Sequence, residues 1–299
     1  MRNLIYLFLF ISFFSFSQDK KRVALVIGNS NYEFSQVLKN PVKDAKLIAS
    51  KLDSLGFEVI LGENLNTKSE FSKIIKDFNL KRNKQELGVI YYSGHAVQFN
   101  NKNYLLPTDA TIDMDGFDPF DEVVDIQGVI DYLLKDTEAP TLIVLDACRT
   151  SPISDGSKGE GTTQAGLAPL QVPTGAVIAY SAQAGKKAYD GTGNNSLYAM
   201  SFAKHIMTED LNHNDLFRRI RGDVELASKE RQIPDYTEQL SGTGAIYLNP
   251  LAIKSYLNKA QLLIEEEQYS EALVVLNESL NDYPNNAEVY QMMGLCYKG

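Results

Sequence analysis

Two residues of this 299-residue chain have the chemistry of a nucleophile and its base, and each follows an apolar run of the same design. Thr141 to Leu145 (TLIVL) leads into Asp146, Ala147 and Cys148, and Leu87 to Tyr92 (LGVIYY) leads into Ser93, Gly94 and His95. Such short runs suit strands buried on both faces of a sheet. In open α/β sheets ligands bind at the carboxyl ends of the strands, where side chains leaving the tips are held rigidly yet stay accessible. A thiol there is a small hydrophobe until a base reaches it, and an imidazole on a neighbouring tip can orient or deprotonate it. Either residue alone is most simply part of a core. Both together, at matching strand tips, point to covalent catalysis.

The elements that must position these tips alternate strand with helix. Arg22 to Ile27 (RVALVI) reads as a first buried strand, with Gly28-Asn29-Ser30-Asn31 as its tip loop. A phosphate-binding reading of that loop fails, because neither GxGxxG nor GxxxxGK[ST] is present. Pro41 to Leu55 predicts a helix with Pro in its first turn and Gly56 after its end. Phe57 to Leu61 predicts a strand, and Thr67 to Leu80 a helix opened by the capping box Thr67-Lys68-Ser69-Glu70. A hairpin turning at Asn100-Asn101, a helix over Val123 to Leu134 and a strand over Gly175 to Ser181 follow. Two more helices are expected over Ser196 to Met207 and Asn214 to Lys229, with His205 and His213 as surface or interfacial residues. This alternation predicts the α/β class: a mainly parallel sheet with helices on both faces.

YYSGHA and LDACR resemble the two catalytic blocks of the caspase-like cysteine peptidases, whose His lies about 50 residues upstream of the Cys. VALVIGNSNY and LKNPVKDAKLIASKL resemble the metacaspase and paracaspase branch of that family, and the likeness runs from Arg22 to Leu248. The resemblance implies an endopeptidase in which Cys148 attacks the scissile carbonyl and His95 manages the protons. It also implies an oxyanion hole made by the backbone N–H groups of Cys148 and of Ala96, where caspases carry Gly. Ala serves there if its φ is negative.

Asp146 stands two residues before Cys148, so in a strand it lies on the same side and can line a pocket beside the thiol. The resemblance supplies a second acid, Asp44 in NPVKDAK, and a third near the GAVIAYS strand, for which Asp190 is the nearest candidate. Carboxylates sharing a pocket repel one another, and a substrate Arg or Lys relieves that repulsion. The peptide or protein substrate is therefore expected to be cut after a basic residue. The glycine-rich surface loop Thr150 to Pro173 carries one basic residue, Lys158, a candidate self-cleavage site.

A net charge of −9 and a pI near 5.0 argue against a partner bound through its phosphates, so no nucleic acid is expected. Between Asp109 and Asp131 stand eight carboxylates and no Lys or Arg. Some metacaspases are calcium-activated, but the spacing matches no EF-hand loop; a solvated acidic loop is the plainer reading, and no cofactor is expected. Residues 1–17 have the pattern of a secretory signal, with Arg2 before an apolar run too short to span a membrane. Export is expected, with no transmembrane segment after signal removal. Cys148 and Cys296 are the only cysteines and fall in different modules, so the peptidase domain, residues 21–248, relies on its core rather than on disulfides. Residues 251–299 resemble a tetratricopeptide repeat: Tyr256, Ala260 and Leu263 recur 34 residues later as Tyr290, Gly294 and Tyr297. Only one repeat and part of a second are present, a tail that could bind a protein partner. An idle scaffold working through that tail is the rival to an active peptidase.

Overall fold

The computed structural model describes residues 22–82, 87–112, 120–135, 137, 139–148, 167–183, 193–240, 244–250, 253–283 and 286–298. Its sheet is built from β1 (Val23–Gly28), β2 (Glu58–Glu63), β3 (Gly88–Phe99), β6 (Thr141–Cys148), β7 (Ala176–Tyr180) and β8 (Asp235–Gln239). Across the sheet the order is β2-β1-β3-β6-β7-β8. The first five strands of that order are mutually parallel, and β8 closes one edge antiparallel to β7. The tip of β3 continues as a ribbon with β4 (Lys102–Leu105), which pairs in turn with β5 (Val124–Asp125). Asn100 and Asn101, both at positive φ, make the expected turn of that hairpin.

Strand alternation divides the core in two. Ala24, Val26, Val89, Tyr91, Leu142 and Val144 face α1 (Pro41–Ser54), α4 (Leu197–His205) and α5 (His213–Ser228). Their sequence neighbours Leu25, Ile27, Ile90, Tyr92, Ile143 and Leu145 face α2 (Lys68–Lys81) and α3 (Ile126–Leu134). Both faces of the central strands are thus covered, which is why their sequences read as continuous apolar runs. Arg22 ties the start of β1 to the far end of the domain: its guanidinium donates to the Leu248 carbonyl at 2.9 Å and stacks 4.4 Å over the Phe57 ring.

At three points the structure departs from these expectations or adds to them. The helix expected from Val123 starts only at Ile126, after the short strand Val124–Asp125, because Asp125 accepts from the Gln127 and Gly128 N–H groups as the N-cap of α3. β8 was not expected: DYTEQ is an exposed edge strand with no apolar alternation, held by its backbone ladder to β7. Of the surface and interfacial placements left open for His205 and His213, the structure shows the interfacial one, at 8% and 1% exposure. His205 meets Asp223 at 2.9 Å, and His213 hydrogen-bonds to Glu238 while accepting from the Ile246 N–H. Each is a fastener between elements.

Helices α6 (Ile253–Glu265), α7 (Tyr269–Asp282) and α8 (Ala287–Cys296) share a small core of their own around Ala260, Ala272, Leu276 and Val289. Cys296 is buried in it with its thiol pKa raised by desolvation. No described helix is long and apolar enough to cross a membrane.

Candidate active site

The two motifs meet at the carboxyl edge of the sheet. β3 and β6 are adjacent and parallel, in a register that pairs Ser93 with Asp146, Gly94 with Ala147 and His95 with Cys148. Register partners on neighbouring strands lie about 4.8 Å apart along the hydrogen-bonding direction. The sheet itself therefore sets the imidazole-bearing residue beside the thiol-bearing one. His95 is not an open tip: it is only 2% exposed, because the loop between β1 and α1 closes over it. Its Nε2 lies 2.7 Å from the Gln36 carbonyl oxygen. A carbonyl can only accept, so Nε2 carries the proton and, in the neutral ring, Nδ1 is the basic nitrogen. Ala96 is opposite Leu105 in the β3–β4 ribbon and is not among the residues at positive φ, so the condition placed on an Ala at this position is met.

Below this pair the structure brings Asp44 and Asp146 together. Asp44, in the first turn of α1, and Asp146, on β6, are 1% and 5% exposed. One oxygen of Asp44 accepts from Asn195 Nδ2 at 2.8 Å and from the Ser196 N–H at 3.0 Å. Asp146 accepts from Tyr91 Oη and from Ser196 Oγ, each at 2.9 Å. Ser196 thus bridges the two acids while its hydroxyl also caps α4 by accepting from the Ala199 N–H at 3.0 Å. Burial, followed by the Asp146 charge, raises the Asp44 pKa to about 7. Burial and the same acids push the Tyr91 phenol well above its ordinary value, so it stays a donor. Tyr198, the second residue of α4, is fully buried beside these groups, and its hydroxyl has no hydrogen-bond partner among the described residues.

Asp44 and Asp146 are therefore neighbours as expected, whereas Asp190 and Lys158 lie outside the described residues. Sequence reasoning missed Tyr91, Asn195 and Ser196, and it missed the loop residues around His95. The acidic stretch is partly outside the described residues too. Among those described, Glu122 is engaged by the N–H and hydroxyl of Thr111, Asp125 caps α3, and Asp131 accepts from Gln127. They serve separate local structures, and no group of three or more potential metal ligands converges among the described residues.

An open sheet of five parallel strands with an antiparallel edge, helices on both faces, and a His and a Cys paired at adjacent strand tips define the caspase-like class of α/β protein. The chain belongs to that cysteine peptidase family: the family model described as the caspase domain matches residues 21–243. It is 25% identical over 264 residues to mucosa-associated lymphoid tissue lymphoma translocation protein 1 of Homo sapiens, covering 85% of this chain and 30% of that protein. It is 26% identical over 238 residues to the Mus musculus homolog, covering 76% of this chain and 26% of that protein. The chain thus spans under a third of the length of the curated relatives it matches.

Proposed function

We propose that the protein is an exported cysteine endopeptidase that cleaves after Arg or Lys, with Cys148 as nucleophile and His95 as its base and acid. The observation that carries this reading is the register pairing of His95 with Cys148. His95 Nδ1 takes the thiol proton, because Nε2 is committed to the Gln36 carbonyl. The thiolate sulfur attacks the scissile carbonyl, and the backbone N–H groups of Ala96 and Cys148 serve the oxyanion. The imidazolium then returns its proton to the leaving amine as the C–N bond breaks, and water, deprotonated by the same nitrogen, releases the acyl group.

The basic preference is supported by the buried pair Asp44 and Asp146. Burial and the neighbouring Asp146 charge hold down the charge of Asp44, and a guanidinium or ammonium entering between the two acids removes that penalty. Asp190 is the remaining candidate for the same pocket, and Lys158 the candidate site of self-cleavage. Residues 1–17 are the proposed export signal, and residues 251–299 a repeat segment for a protein partner. The separate helical core of α6 to α8 favours the second reading, an idle scaffold acting through that segment.

Purified protein incubated with peptides bearing a fluorogenic amide after Arg, Lys or Asp separates the two. Turnover after Arg or Lys is expected, and its loss in Cys148→Ala. Cleavage after Asp at an equal or higher rate overturns the basic preference, and no turnover with any of the three favours the scaffold.

A further inference from the structure

His95 is held by its main chain as well as by its ring. Its N–H donates to Tyr32 Oη at 2.8 Å, and Tyr92 Oη donates to its carbonyl oxygen at 2.7 Å. The two hydroxyl oxygens are 3.4 Å apart, so the Tyr32 proton can be directed to Tyr92 and close a circuit around the His95 peptide groups. All three residues are buried. The Tyr32 ring also lies against the imidazole, with centroids 4.4 Å apart and planes tilted by 52°. Gly94 is part of the same construction: a Cβ there would stand 2.6 Å from both hydroxyl oxygens, so the Gly before His95 is what lets the two tyrosines reach its backbone.

Tyr32 arrives from the loop between β1 and α1, and that loop is itself anchored. The Tyr32 and Leu38 N–H groups donate to the Ser30 carbonyl, and the Glu33 N–H donates to the Thr108 carbonyl at 2.8 Å. The carbonyl that fixes the His95 tautomer, that of Gln36, is four residues further along the same loop. One anchored loop therefore grips His95 at its N–H, its ring face and its Nε2.

We propose that Tyr32 is a positioning residue for catalysis, its hydroxyl holding the His95 main chain so that the imidazole stays in place beside Cys148. This rests on the peptidase reading of His95 and Cys148. Tyr32→Phe keeps the ring and its packing and removes the hydroxyl that accepts from the buried His95 N–H and meets Tyr92 Oη. A small misplacement of a catalytic group is costly, so kcat on a P1-Arg peptide should fall by about tenfold to a hundredfold while KM stays within about twofold.

The test adds alkylation of Cys148 by iodoacetamide, read by peptide mass so that Cys296 is followed separately. In the wild type, alkylation near about pH 6.5 should be fast and should slow in His95→Ala, since the thiolate there depends on the imidazole. Tyr32→Phe should slow it by about tenfold at that pH and match the wild type above about pH 9.5, where a thiol ionises unaided. A purely structural role would lower the melting temperature and shift alkylation equally at both pH values. Wild-type kcat and a wild-type alkylation profile in Tyr32→Phe would overturn the proposal. If Tyr32→Phe does not fold, Tyr92→Phe breaks the circuit on its carbonyl side and carries the same expectation. If His95→Ala leaves alkylation unchanged at the lower pH, it is the peptidase reading that fails, and the positioning role with it.

Discussion

His95 and Cys148 are register partners on adjacent parallel strands, the last pair in the β3–β6 ladder. A slip of one residue would turn every side chain of β6 to the opposite face of the sheet, and Val144 and Leu145 are packed into different halves of the core. The packing of the strand interior therefore sets the alignment of the two residues at its tip.

Removing either partner should abolish cleavage, with different effects on stability. Cys148→Ala is expected to bring turnover on a P1-Arg peptide down to background. His95→Ala should do so too, but it also empties a buried site against Tyr32, at a cost of about 1–3 kcal/mol in a urea titration. A tenth of the wild-type rate remaining in either variant rejects the assignment.

Asp146 accepts two buried hydrogen bonds, and Asp146→Ala leaves Tyr91 Oη and Ser196 Oγ without that partner. Loss of one member of a buried charge pair costs about 2–5 kcal/mol, so kcat/KM on P1-Arg peptides should drop by roughly thirtyfold or more. A drop of less than threefold would show that the substrate cation is bound elsewhere.

Ser196 is predicted to matter twice. Ser196→Ala removes the bridge to Asp146 and the cap of α4, which together should lower stability by about 1–3 kcal/mol and raise KM for P1-Arg peptides. Ser196→Thr keeps the hydroxyl and should restore much of both. Equal damage in the two variants would point to packing in place of hydrogen bonding.

Asp44 gives the site a pH signature. Its pKa rises from 3.8 to about 7 in the folded protein, chiefly through burial. Between those values the native state keeps a proton that the unfolded chain has shed, so this contribution to stability is full below the lower value and is lost as pH rises through the upper one. The stability of the wild type relative to Asp44→Asn should therefore fall across that window, measured as paired melting curves. KM for P1-Arg peptides should fall as the pH rises through about 7 and the carboxylate forms, with no such inflection in Asp44→Asn. A pH-independent difference in stability would mean that Asp44 is charged throughout.

The central strands and both catalytic candidates were legible because buried parallel strands write themselves as apolar runs and their tips as abrupt changes of character. β8 was not, since an edge strand is held by backbone bonds that leave no trace in DYTEQ. Asp146 follows from strand alternation, but Asp44 was reachable through resemblance alone, as an acid in a helical first turn is otherwise a common surface residue. Ser196 looks like any helix cap, and nothing local shows that it spans two acids. The burial of His213 and His205 depends on Glu238 and Asp223, carboxylates on other elements. Tyr32 left one signal, an aromatic residue just beyond a strand tip, too common to interpret alone.

The distance in sequence between Asp44 and its partners has a consequence for when the protein becomes what it is. Asn195 and Ser196 are 151 and 152 residues downstream of the carboxyl group they hold. A chain made from its N-terminus carries Asp44, His95, Asp146 and Cys148 well before it carries the pair that joins the acids. The arrangement of the two acids is thus completed only once the chain has passed residue 196, and a shorter nascent chain holds all four residues without the pair that joins the carboxyl groups.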